Sequence, residues 1–141
     1  MGRIMAIDFG QKRVGIAVTD ELQIIATALE TVAAHEIFTF LKKYFSKNIV
    51  DTVVIGEPKQ MDNTKSDSSR FIDPFVNKFK KEFPDMKLER YDERFTSKMA
   101  FQTMIDSGIG REKRKNKALV DTISATIILQ SYLESTKTIK L

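Results

Sequence analysis

Apolar positions dominate residues 3–8 and stop at Asp8, and Gly10-Gln11-Lys12 then reads as a turn. Val14 to Val18 forms a second apolar run. Thr19-Asp20-Glu21 is a second turn, and a third β-like run extends from Ile24 to Val32. Three short runs in close succession predict strands joined as antiparallel hairpins. From 35 to 47 the period changes: Ile37, Phe38, Phe40, Leu41, Tyr44 and Phe45 recur at helical spacing. A fourth strand, Thr52 to Ile55, ends at Gly56-Glu57-Pro58 and leads into a polar loop, 59–68. A second helix is predicted over 69–83, with Phe71, Ile72, Phe75, Val76, Phe79 and Phe83 on one side, core rather than a base-stacking platform. Pro84-Asp85 stops it. The fifth strand, Lys87 to Tyr91, runs into Asp92-Glu93-Arg94. A helix from Thr96 to Gly108, a basic loop over 109–116 and a final helix from Lys117 to Glu134 complete the pattern, with 135–141 a polar, frayed tail.

Hairpins followed by alternating helix and strand give an α/β fold, a five-stranded mixed sheet with helices on its faces. That is the strand order of the RNase H-like fold. The 141 residues make one domain, 1–141, with no repeat or linker.

Three places put charge where the pattern wants none. Asp8 closes an apolar strand. It either starts the turn by accepting backbone N–H groups or serves chemistry at a strand end. Asp121 is the sole charge between Lys117 and Glu134 and shares a helical face with Ala125, Ile128 and Tyr132. Its structural alternative is a first-turn acid that complements the helix dipole, worth ~0.3–1 kcal/mol. Asp92 and Glu93 end the fifth strand, where pairing with Arg94 is the simpler role. Taken together, strand-end acids and a helix acid fit a site at the carboxyl edge of an open sheet. Clustered carboxylates stay ionised together only beside cations. We expect Asp8, Glu93 and Asp121 to be the catalytic set, with Asp92 as a further metal ligand. Strand alternation sends Asp92 and Glu93 to opposite faces, and Glu93 is preferred.

Composition narrows the chemistry. The chain has no cysteine and one histidine, His35, so thiolate and His-rich zinc sites are excluded. Oxygen ligands point to magnesium or manganese. Lys and Arg exceed Asp and Glu by 23 to 19, a net charge of +4. Arg111, Lys113, Arg114, Lys115 and Lys117 crowd into seven residues, a candidate phosphate contact. Lys12 and Arg13, beside Asp8, and Arg94 are further candidates for binding substrate phosphate. Gly10 and Gly15 either allow a phosphate backbone to approach or serve the hairpin. His35 is read as an ordinary residue at a helix start. No apolar run reaches the ~18 residues of a membrane span, and the opening run is too short for a signal peptide, so a cytoplasmic location is expected.

Four stretches, in order, resemble the YqgF family, whose members are described as pre-16S rRNA nucleases or Holliday-junction resolvases. They are Ala6 to Asp20, Val54-Ile55-Gly56-Glu57-Pro58, Asp92-Glu93-Arg94-Phe95-Thr96-Ser97, and Lys117 to Asp121 followed by Ala125, Ile128, Leu129 and Leu133. Glu57 stands where the family often has an apolar residue, and Asn63 where glycine is common. The resemblance implies an RNase H-like nuclease with acidic metal ligands at Asp8, Asp121 and the Asp92/Glu93 pair. It implies action on precursor rRNA in ribosome biogenesis. The alternatives are a resolvase acting on branched DNA and a non-catalytic RNA-binding assembly or transcription factor. Asp8-Phe9-Gly10 with Gly15 also resembles the phosphate loop of the actin and sugar-kinase superfamily, but those proteins use two such lobes.

Overall fold

The computed structural model describes residues 2–57, 69–92 and 117–139, with the backbone alone at 57, 69–71, 92, 117–121 and 136–139. Its elements are β1 (Arg3–Phe9), β2 (Arg13–Thr19), β3 (Ala26–Ala33), a 3-10 turn (Ala34–Glu36), α1 (Ile37–Lys47), β4 (Val50–Glu57), α2 (Ser69–Glu82), β5 (Lys87–Asp92) and α3 (Lys117–Ile139). The helix expected over 96–108 and the basic loop over 109–116 lie outside the described residues, as does the loop 59–68.

Strand order is β3-β2-β1-β4-β5. β1, β2 and β3 pair antiparallel through short connections, whereas β4 is parallel to β1 and β5 to β4. A parallel neighbour needs a crossover, and α1 and α2 supply the two described crossovers, after β3 and after β4. β1 is buried on both faces, and period-2 alternation assigns each residue to one of two cores. Met5 and Ile7 join Val14, Ile16, Val53 and Ile55 beneath Ile37 and Leu41 of α1 and Ile72, Phe75, Val76 and Phe79 of α2. Ile4 and Ala6 join Ala17 and Val54 beneath Ala125, Ile128, Leu129 and Leu133 of α3. The phenylalanine series is core as expected at Phe75 and Phe79, with Phe83 packed against it. Small residues on the second face, Ala6 and Ala17, let α3 approach the sheet closely.

Three sequence boundaries shift. The run from Ile24 is a strand only from Ala26, because the Ile24 and Ile25 N–H groups donate to Asp20 Oδ1 at 2.8 and 2.9 Å. Those two amides, Ile25's the stronger influence, hold the Asp20 carboxyl below its ordinary range. Gln23 takes the left-handed conformation the turn requires, with φ at 59°. The first helix is preceded by a 3-10 turn at 34–36 that holds an exposed His35, 3.8 Å from Glu36. The frayed tail is corrected over 135–139, which stay helical: no Gly or Pro lies between 117 and 139, and the Ser135 hydroxyl donates to the Tyr132 carbonyl at 2.8 Å.

The two sheet edges differ. β5 carries Lys87, Glu89, Arg90 and Asp92 in six residues. β3 carries only Glu30 in eight, but its pairing with β2 slips between Ile16 and Ala17 and leaves Leu29 without a register partner. Charge protects one edge and a bulge the other.

Candidate active site

Asp8 lies one residue before the end of β1, opposite Gly15 of β2. By alternation with Ile4 and Ala6 it is on the α3 face, and it is half-buried. Glycine at the register position opposite adds no side chain of its own beside the carboxylate. The hairpin beyond it is tight: Gly10 N–H donates to the Arg13 carbonyl at 2.9 Å. A Cβ on Gly10 would sit 2.6 Å from that carbonyl oxygen, so Gly10 is needed for the turn itself. Of the two glycine roles weighed from sequence, the hairpin role is the one with contacts at Gly10.

β1, β4 and β5 are mutually parallel, so their carboxyl ends share one edge of the sheet. Ile7 is level with Ile55, Gly56 with Tyr91, and Glu57 with Asp92. The backbone of Asp92 therefore ends β5 on the same edge as Asp8, two strand spacings away, roughly 9–10 Å. Glu93 and Arg94 lie outside the described residues, as do Arg111, Lys113, Arg114 and Lys115. Asp121 and Lys117 are in the first turns of α3, where only the backbone is described. Lys12 is exposed and Arg13 half-buried at the hairpin, and the Lys12 carbonyl accepts from Ala34 N–H at 2.9 Å.

Two hydroxyl contacts missed in the sequence tie β5 to α3. Tyr91 Oη and Ser131 Oγ share a hydrogen bond of 2.6 Å, and the Tyr132 hydroxyl donates to Glu89. The two rings meet edge to face with centroids 6.3 Å apart. Burial first, and then the Glu89 carboxylate, push the Tyr132 phenol up to about 12. The phenol's hydrogen bond in turn lowers Glu89, with Lys87 Nζ at 3.2 Å assisting. Both contacts act between the strand that ends at Asp92 and the helix that carries Asp121.

Among the described residues no three His, Cys, Asp or Glu side chains lie together as a metal-binding group. Asp8 is the one expected ligand whose side chain is described, and as a hard oxygen donor it suits magnesium or manganese. No described helix is long and apolar enough to cross a membrane.

A five-stranded mixed sheet with its first three strands in hairpins and helices on both faces is an RNase H-like α/β fold. Residues 2–135 match the model of the RuvX family, described as Holliday junction resolvase, and the chain belongs to that family. It is 63% identical over 133 residues to a Flavobacterium psychrophilum protein named "Putative pre-16S rRNA nuclease", covering 94% of this chain and 97% of that one. Proteins of the same name from Flavobacterium johnsoniae and Phocaeicola vulgatus are 60% and 56% identical over 135 and 137 residues. They match 96% and 97% of this chain and 98% and 99% of their own lengths.

Proposed function

We propose that the protein is a divalent-metal-dependent nuclease that processes the 5′ end of precursor 16S rRNA during ribosome biogenesis. The observation that carries the reading is Asp8: a half-buried carboxylate at the carboxyl end of the central strand, on the face that α3 covers. The name shared by relatives of up to 63% identity supplies the substrate. Two further features support convergence of the acids. β5 ends on the same edge as β1, and Glu93 would follow Glu89 and Tyr91 at two-residue spacing, the spacing that returns a side chain to one face. Gln130 and Leu133 of α3 line a surface cleft with Ile24, Ile25 and Ala26, at the far end of the sheet from Asp8. Earlier turns of the helix therefore run back toward Asp8.

On this reading Asp8, Glu93 and Asp121 would hold magnesium or manganese, and Asp92, one residue out of phase with Glu93, would be outside that set. The metal, when bound, supplies an activated water and offsets phosphate charge. Lys12, Arg13 and Arg94 would orient the scissile strand. Arg111, Lys113, Arg114, Lys115 and Lys117 would neutralise flanking phosphates. The family description makes cleavage of branched DNA the second reading. A cytoplasmic location follows from either.

The test offers the pure protein precursor rRNA and a four-way DNA junction side by side, with magnesium, with manganese and with excess chelator. Cleavage of the RNA in either metal, absent in chelator and lost in Asp8→Asn while binding persists, is expected. Preference for the junction would establish the second reading. Cleavage in chelator, or full activity of Asp8→Asn, would refute the carboxylate–metal site.

A further inference from the structure

Phe9 follows Asp8 in β1 and so faces the opposite side of the sheet. There it opens into a cleft of about 280 Å³ lined by Phe9, Gln11, Ile37, Phe38, Phe75 and Lys78. The size falls just below the ~300–1,000 Å³ of drug-sized ligand sites, which suits one planar ring system. Its walls are aromatic. The Phe9 and Phe75 rings stack at 4.5 Å, and Phe38 leans on Phe75 at 5.3 Å. The core holds Phe75 almost completely, at 5% exposure, whereas Phe9 and Phe38 are only half-buried. The polar lining is equally telling. Among the described residues the wall carries one charged group, the cation Lys78, whose Nζ lies 4.6 Å from the Phe38 ring centroid. Gln11, exposed at the mouth, offers both a donor and an acceptor. It begins the Gln11-Lys12-Arg13 hairpin that also borders Asp8.

We propose that this cleft receives one unpaired nucleobase of the bound nucleic acid, adjacent to the nucleotide at Asp8. The base packs against the accessible parts of Phe9 and Phe38, taking the place over the Phe38 ring that Lys78 Nζ occupies in the free protein. The Gln11 amide meets its hydrogen-bonding edge, and Lys78 takes the attached phosphate. Three features distinguish the cleft from an unfilled corner of the core: half-exposed rings, a described lining without carboxylates, and a position one residue from the proposed catalytic acid. Aromatic stacking of this kind tolerates any base and requires it to be unpaired. It would therefore favour single-stranded flanks over duplex. The inference rests on the nuclease reading for its substrate, but not on cleavage.

The test is a binding titration in excess chelator, with a short oligoribonucleotide in which a single abasic residue is moved one position at a time. Wild-type protein should lose about 5- to 30-fold in affinity at one position only. In Phe38→Leu, which keeps a large apolar side chain but not the flat ring, that positional loss should fall below about two-fold. Lys78→Ala, an exposed change that gives up only the contact with the Phe38 ring, should reduce the salt dependence of binding by about 0.7 in slope. Equal losses at every position, or the same positional loss in wild type and Phe38→Leu, would overturn the proposal and leave the nuclease reading intact. A retained positional loss in a protein that cleaves nothing would uphold the cleft and fell the nuclease reading.

Discussion

Tyr132→Phe removes one hydroxyl and tests whether the β5–α3 contact has the energetics its geometry implies. Carrying a phenol from 10.0 to about 12 corresponds to ~2.7 kcal/mol, but most of that does not reward the native state. Burial is the leading cause of the shift, and it penalises the phenolate rather than stabilising the phenol. A hydrogen bond to a charged acceptor contributes ~1.5–3 kcal/mol when well shielded. The Glu89 side chain is 34% exposed, so solvent screening reduces the expected loss to ~1 kcal/mol. For a chain of this size that lowers Tm by about 3–5 °C. The pH dependence gives the sharper test. Glu89 is lowered from 4.5 on folding, so its share is present above 4.5 and lost as pH falls through the lower, folded value. Tyr132 is raised from 10.0, so its share is present below 10.0 and lost as pH rises toward about 12. Denaturant unfolding of wild type and Tyr132→Phe at pH 3.5, 7 and 11 should therefore show the full difference only at pH 7. A difference constant across the three would refute the charge-assisted bond and leave packing alone as the cause.

Gly10→Ala should cost both stability and cleavage, because its Cβ meets the Arg13 carbonyl oxygen at 2.6 Å and backbone there must move; an unchanged melting temperature would show that the hairpin tolerates the shift. Thr19→Val should cost ~1–3 kcal/mol in denaturant titration, since the buried Thr19 hydroxyl accepts from Ile4 N–H at 2.9 Å and donates to the Asp20 carbonyl at 2.8 Å. Replacing Lys113, Arg114 and Lys115 together with Ala should lower the salt slope of nucleic-acid binding by about 0.7–0.9 for each phosphate no longer neutralised; an unchanged slope would place that segment away from the substrate.

The sheet and both cores were legible because alternation and helical spacing are local properties. Met5 and Ile7 against Ile4 and Ala6 already show a strand buried on both sides. Asp8 was legible for the same reason, as a charge that ends an apolar run. Ile24 and Ile25 misled because their apolar character says β, whereas their amides are taken by a carboxylate four and five residues back. The Tyr132–Glu89 and Tyr91–Ser131 contacts were invisible. Tyrosines in an apolar stripe look like core, and each partner is 40 or more positions away, beyond any local pattern. The end of α3 was missed because a polar composition was read as fraying, although nothing in 135–139 breaks a helix.

The division of the sheet into two cores also sets an order of assembly. The core under α1 and α2 uses residues between 5 and 79, so it closes from contacts already made when that much chain exists. The other core needs 125–133 to cover Ile4, Ala6, Ala17 and Val54. During synthesis that apolar face stays bare until α3 arrives, and a growing chain with half its sheet covered is a natural client for chaperones. On the proposed site, the same delay would keep Asp8 and Asp121 apart until α3 docks. A metal site shared between the first strand and this helix would switch on only after both cores had closed.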